Sequence, residues 1–247
     1  MTNKALYMDA GNSAIKYCLQ DAFSESRSLL HGEYEINRLL DSLIEQNPIN
    51  QIYLASVYKP SFGSLIAEWA DRQTIEFHEI KTTSKFASLV NGYHHYDRLG
   101  VDRWLAMIAL REKYRNQFLV ISAGSAVTCD LVDDTGKHKG GLIMPGLNMM
   151  QKSLLENTAA VRFIENNAYP DEILQKDTAS CVIAGTFNAV IGMIEKIIKN
   201  YALSPEQIVL TGGQAKLLAS GLPSGVVVED HLVLKGIACW HQYGEST

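Results

Sequence analysis

The chain has 247 residues, 47% of them hydrophobic and 20% charged, enough for a substantial buried core and ordinary for a globular protein. A net charge of −5 and a pI near 5.8 argue against a nucleic-acid binder, because neutralising phosphates needs a basic face. No continuous apolar run is long enough to span a bilayer and residues 1–9 hold no signal-peptide core, so a cytoplasmic protein without a membrane partner is expected.

Residues 5–8 read as a strand that breaks at Asp9-Ala10-Gly11-Asn12-Ser13, and residues 14–19 resume as a second strand. Strand, Gly/Asn turn, strand is a hairpin pattern. The turn carries an acid, a glycine and a hydroxyl, and Lys16 follows it. Backbone N–H groups exposed in such a turn can cradle phosphate oxygens, and Asp9 at the strand end can bind Mg²⁺ directly or through water. The same residues also suit a plain hairpin whose Asn12 and Ser13 serve turn geometry.

Residues 35–45 place Ile36, Leu39, Leu40 and Ile44 at helical spacing, residues 51–55 read as a strand, 65–69 as helix and 74–77 as strand. Alternating strands and helices predict an α/β layered domain. Residues 81–98 are polar and aromatic without periodicity, and read as a long loop. Its adjacent His94 and His95 cannot easily share one metal, and read as solvated loop residues.

Leu99-Gly100-Val101-Asp102-Arg103-Trp104 follows, opening a helix over residues 101–113. Gly100 lets the backbone approach a ligand closely, Asp102 can accept a proton from a hydroxyl, and Arg103 can hold an anion through its planar fork of donors. Taken alone, the dipeptide also suits a surface ion pair at a helix start. Residues 117–121 read as a strand, and here the chain repeats itself. Tyr7-Met8-Asp9-Ala10-Gly11 has a counterpart in Val120-Ile121-Ser122-Ala123-Gly124, each followed by a hydroxyl and a second strand, residues 14–19 and 126–132. The offset is about half the chain, which predicts two homologous halves, 1–115 and 116–247.

Residues 139–146 read as a glycine-flanked strand and 147–156 as a helix. Asp177 or Thr178 caps a long helix over 179–200. Residues 207–210 form a strand ending in Thr211-Gly212-Gly213, which suits either a flat base against the backbone or a plain strand-to-helix turn. Residues 226–228 and 233–240 complete the second α/β half. Cys18, Cys129, Cys181 and Cys239 are scattered in apolar settings without a C-x-x-C pair, so reduced core thiols are expected.

Together the motifs carry a resemblance. Asp9-Ala10-Gly11-Asn12-Ser13 with Lys16 resembles the D-x-G-N-T-x-x-K phosphate motif of type III pantothenate kinases. Tyr93 and Leu99 to Trp104 resemble their Y-x-x-P-x-x-L-G-x-D-R-W segment, and Ala123-Gly124-Ser125-Ala126-Val127-Thr128-Cys129-Asp130 is similar to their D-x-G-T-A-x-T-x-D motif. Gly140 to Gly146 and Asp177-Thr178 fall where the family has G-G-x-I-x-P-G and N-T. The resemblance runs through the whole chain in order, and L-G-x-D-R-W is its most specific part. It implies the acetate and sugar kinase/Hsp70/actin fold: an α/β protein of two homologous actin/ribonuclease-H-like halves, with mixed sheets flanked by helices, that clamp a nucleotide.

The resemblance further implies a cytoplasmic homodimeric kinase that phosphorylates the primary hydroxyl of pantothenate with ATP and Mg²⁺, the first step of coenzyme A biosynthesis. Asp9, Ala10, Gly11, Asn12, Ser13, Ala14, Ile15 and Lys16 would bind ATP, with Asp9 toward the Mg²⁺, and Ser125 would contact ATP. Tyr93, Gly100, Val101, Asp102, Arg103 and Thr178 would line the pantothenate site, with Asp102 the general base. The family holds a monovalent cation, K⁺ or NH₄⁺, at an aspartate whose place is taken here by Ser122, which brings no charge. Tyr96 stands for the family's proline and Asp177 for its asparagine. Two other readings are an accessory or transcriptional regulator of the same family and a kinase with another hydroxylated acceptor. Retention of Asp9, Lys16, Asp102 and Arg103 favours catalysis.

Overall fold

Alternation along β1 (Lys4–Ala10) decides what lies on each face of the first sheet. Leu6, Met8 and Ala10 pack into a core with Leu40 of α1 (Ile36–Gln46) and with Phe62, Ile66 and Trp69 of α2 (Ser61–Arg72). Tyr7 and Asp9 therefore face the other way. The structure is a computed structural model, and it describes residues 4–31, 36–157 and 172–243. Glu35, the first residue of the helix expected over 35–45, lies outside them.

β1 pairs antiparallel with β2 (Ala14–Leu19) and parallel with β4 (Ile49–Ser56). With β3 (Arg27–Leu30) and β5 (Glu76–Glu79) at the edges, the strand order is β3-β2-β1-β4-β5. β5 begins two residues later than the pattern predicts, because Thr74 takes a left-handed φ of 58° in the turn that leaves α2. The expected loop over 81–98 contains a small hairpin, β6 (Lys85–Phe86) and β7 (Leu89–Val90), and a 3₁₀ turn at Tyr96–Arg98. Long-range bonds hold it: the Val90 N–H donates to Gly136 O at 2.9 Å, and Arg111 donates to Ser88 Oγ at 3.1 Å and to Asp134 O at 3.2 Å. Strands this short carry no readable period, so the sequence pattern missed them.

α3 (Val101–Lys113) follows, then β8 (Phe118–Ala123), β9 (Ala126–Val132), β10 (His138–Pro145), α4 (Leu147–Asn157), α5 (Thr178–Tyr201), β11 (Ile208–Thr211), α6 (Ala215–Ser220), β12 (Val227–Val228) and α7 (Leu232–Tyr243). The second sheet has the order β10-β9-β8-β11-β12, the same pattern of sequence steps as the first. This repetition is the duplicated mixed α/β architecture of actin-like proteins. Leu119, Ile121 and Ala123 of β8 and Val127, Cys129 and Leu131 of β9 pack with Val190, Ile191 and Ile194 of α5. By alternation, Ser122, Thr128 and Asp130 lie on the opposite face, together with Thr211, the cross-strand partner of Ser122.

The chain divides into two compact units, Met1–Arg115 with Val132–Lys139 and His231–Thr247, and Asn116–Leu131 with Gly140–Asp230. α7 thus belongs by its packing to the first unit. It lies so close to α3 that a Cβ on Gly236 would fall 2.2 Å from Leu105 O. The Tyr7 hydroxyl and His241 Nδ1, 2.9 Å apart, tie α7 to β1.

α5 corrects one expectation. By length and composition it is apolar enough to cross a membrane, with a mean hydropathy of 1.6 in its best window. One face of it, with Val190, Ile191 and Ile194, packs into the core of the second unit, and Thr186 Oγ1 accepts from buried Gln151 Nε2 at 3.1 Å. A second correction concerns the thiols: no disulfide joins them and Cys18 and Cys129 are buried, but Cys181 is exposed on α5.

Candidate active site

Asp9 stands at the carboxyl end of β1, on the sheet face away from α1 and α2. The register pairs it with Lys16 across the hairpin, so both side chains lie on that face. The turn between them is closed by the Gly11 N–H donating to Ala14 O at 3.0 Å, and its Asn12 and Ser13 are exposed. Ala10 and Ile15 are buried and pack into the core below, anchoring the hairpin, while Ala14 is half-buried.

α3 brings Asp102 to the same place. Gly100 is its N-cap and Asp102 lies in its first turn, where a negative charge is favoured by the helix dipole. A Cβ on Gly100 would fall 2.5 Å from Asp102 Oδ1, so the glycine is what lets this carboxylate fold back over the helix start. Burial first, and then the Asp102 charge, raise the Asp9 carboxyl from its usual 3.8 to about 7, with Lys16 opposing the shift. Two carboxylates that repel one another in a partly buried site, with a lysine beside them, favour a cation between or near them. Among the described residues no three acidic, histidine or cysteine side chains cluster as a full metal cage. That donor set fits Mg²⁺, which is held by one or two carboxylates with waters and substrate phosphates.

The next residue, Arg103, is buried, and its Nη1 donates to the Tyr93 hydroxyl at 2.8 Å. The Tyr93 ring stacks on His138 with centroids 5.8 Å apart, and its N–H donates to Asn91 Oδ1 at 3.0 Å. Arg103 and Tyr93, read from the sequence as neighbours in one site, are brought together. A cavity of about 360 Å³ opens at the same helix start, lined among others by Ser56, Thr82, Arg98, Gly100 and Val101. Thr82 Oγ1 donates to Leu99 O at 2.8 Å and fixes the segment that leads into α3.

Sequence reading passed over Ser56, Thr82 and His31. Ser56 ends β4 opposite Ala10, and ligands of open α/β sheets gather beyond strand carboxyl ends, which is the signal that marks it. His31 follows β3, and its Nε2 donates to Gly11 O at 2.7 Å. No local pattern reveals that contact.

The second unit holds the remaining expected residues. Ser122 is half-buried near the end of β8, and Ser125 is exposed in the turn to β9. Gly146 N donates to Ser125 O at 2.9 Å, and Gly212, at φ 97°, comes so close that a Cβ would meet Ala123 O at 2.5 Å. The Thr211-Gly212-Gly213 step is thus a tight turn whose glycine is required by its backbone. Asp177, not Thr178, is the N-cap of α5, its Oδ1 accepting from Ser180 N at 2.9 Å, and these bonds hold its carboxyl below the usual range. Thr178 is exposed at the first helical position.

A model of the type III pantothenate kinase family matches residues 5–200. A type III pantothenate kinase of Hahella chejuensis is 36% identical over 95% of this chain and 95% of its own length. One from Teredinibacter turnerae is 33% identical, covering 94% of this chain and 96% of its own. Among solved structures, a conserved protein of the Baf family from Campylobacter jejuni superposes with a TM-score of 0.64 over 96% of this chain and 98% of its own, at 19% identity, a likeness of fold alone.

Proposed function

The chain belongs to the type III pantothenate kinase family, and from that premise we propose that it transfers a phosphoryl group from ATP to the primary hydroxyl of pantothenate, giving 4'-phosphopantothenate for coenzyme A synthesis. The observation that carries the reading is the meeting of Asp9, Lys16 and Asp102 at one helix start in one unit. Phosphoryl transfer asks the protein for positioning and charge neutralisation more than for covalent chemistry, and this set supplies both.

Residues 9–16 take the ATP phosphates: exposed turn N–H groups and Lys16 face phosphate oxygens, and the Asp9 carboxylate holds Mg²⁺ directly or through water. Mg²⁺, when bound, neutralises phosphate charge. Asp102 is the general base, accepting the proton of the acceptor hydroxyl as that oxygen attacks the γ-phosphorus. Arg103, its guanidinium oriented by Tyr93, meets the carboxylate of pantothenate, with Gly100 and Val101 shaping the wall. Ser125 as an ATP contact and Thr178 as a pantothenate contact are supported by the family resemblance alone. A homodimer and a cytoplasmic location are supported by the family resemblance, and the division into halves 1–115 and 116–247 by the repeated Ala-Gly turns. Ser122 gives a monovalent cation no carboxylate, so we assign it no strong K⁺ or NH₄⁺ site.

The regulatory alternative is not favoured, since Asp9, Lys16, Asp102 and Arg103 are retained. The test is phosphorus NMR of a reaction with MgATP and pantothenate. A phosphomonoester on the primary hydroxyl of pantothenate is expected, and unreacted pantothenate would contradict the reading.

A further inference from the structure

We propose that His31 is a positioning residue of the phosphate hairpin, holding the Gly11–Asn12 peptide so that the Asn12 N–H is presented to an ATP phosphate. The proposal rests on the reading of residues 9–16 as the ATP-phosphate hairpin.

β3 pairs with β2 in a register that sets Ala14 opposite Leu30, so the next residue, His31, falls opposite Ser13. Its own N–H donates to Ser13 O at 3.4 Å. Its ring turns back across the hairpin, and Nε2 lies 2.7 Å from Gly11 O. A carbonyl only accepts, so Nε2 carries the proton, in the neutral ring as in the charged one. Packing fixes the ring: it stacks on Tyr58 with centroids 3.7 Å apart at 10°, and Phe62 meets it edge-on at 6.4 Å and 83°. Tyr58 is itself tied to the end of β4, its N–H donating to Ser56 Oγ at 3.3 Å.

The consequence follows from peptide geometry. In a planar trans peptide the C=O and the next N–H point in opposite directions. Anchoring Gly11 O on His31 therefore aims the Asn12 N–H away from His31, on the exposed side of the turn. Gly11 has no Cβ to resist rotation of that peptide plane, so without the anchor the plane can flip and withdraw the donor. Holding it in advance removes an ordering cost from nucleotide binding.

The test is MgATP binding by calorimetry to the natural protein, His31→Phe and His31→Gln, with thermal melts of all three. Phe keeps a ring to stack on Tyr58 and cannot donate; Gln donates without a ring. Loss of one modest hydrogen bond's worth of positioning predicts MgATP binding weakened roughly tenfold in His31→Phe and changed by less than about threefold in His31→Gln. Equal affinity in all three proteins overturns the proposal, as does an equal loss in both variants that tracks their melting temperatures. Should His31→Phe fail to fold, His31→Met replaces it under the same expectations. Turnover of pantothenate by the natural protein is read separately. If it binds MgATP and leaves pantothenate unphosphorylated, the acceptor reading fails while the His31 comparison still stands; if it does not bind MgATP, both fail.

Discussion

In the proposed mechanism Asp102 serves as the base and Asp9 faces the Mg²⁺, two tasks for two carboxylates in different environments. Asp102 lies in the first turn of α3, its carboxylate folded back over Gly100. Replacing it by Asn keeps the shape and removes the proton affinity, so kcat is expected to fall by roughly 10²–10⁴ while MgATP affinity stays nearly unchanged. Steady-state rates with calorimetry check this, and near-natural turnover would remove Asp102 from the role. Asp9 is costly in the protein without ligand, because burial and the Asp102 charge raise its carboxyl to about 7. A carboxyl raised above its unfolded value of 3.8 binds more protons when folded, so its contribution to stability falls as pH rises between about 4 and about 7. Asp9→Asn should therefore weaken MgATP binding and, measured without ligand at pH 8, raise stability by on the order of a few kcal/mol. Denaturant unfolding across this pH range checks the sign. A variant that loses MgATP binding and also loses stability would contradict this account of Asp9.

At the scale of elements, the site depends on how α3 is held. Its start is set by Gly100 and its body by α7, whose Gly236 abuts the Leu105 carbonyl. Gly236→Ala puts a methyl against backbone, which cannot swing aside like a side chain, so a loss of about 1–3 kcal/mol is expected in denaturant unfolding. An unchanged midpoint would show that the two helices separate at little cost. The bounds of α3, β2 and β9 were legible in the sequence because each is a largely apolar run between clear breaks. So was the pairing of Asp9 with Lys16, which a short hairpin imposes. What was not legible depends on distant partners. The β6–β7 hairpin is stabilised through Gly136 and Arg111, α7 finds α3 across more than a hundred residues of chain, and His31 reaches Gly11 from another strand. α5 was legible as a capped helix over 179–200, and its packing shows which residues of its apolar face are core.

For the whole molecule, duplication was readable from two Ala-Gly turns half a chain apart, and the two sheets repeat one strand order. The copies have diverged in charge. The first carries Asp9 near the end of β1, and the second has Ser122 at the matching place, with the hydroxyls of Thr128 and Thr211 and the buried Asp130 on the same sheet face. Asp177, the other acid considered for a cation, is occupied as the cap of α5. Activity is accordingly expected to change little when K⁺ is replaced by Na⁺ or a bulky organic cation at fixed ionic strength. Steep, saturable activation by K⁺ would contradict this and point to Asp130 as the compensating carboxylate.

The central claim is that this chain is a kinase whose acceptor is pantothenate. It is tested most directly by the initial rate of ATP-dependent phosphorylation of pantothenate, measured beside a panel of sugars and hydroxy acids under identical conditions. The account predicts transfer to pantothenate well above every other acceptor. Equal or faster transfer to another member of the panel, or ATP consumption that pantothenate does not stimulate, would contradict it.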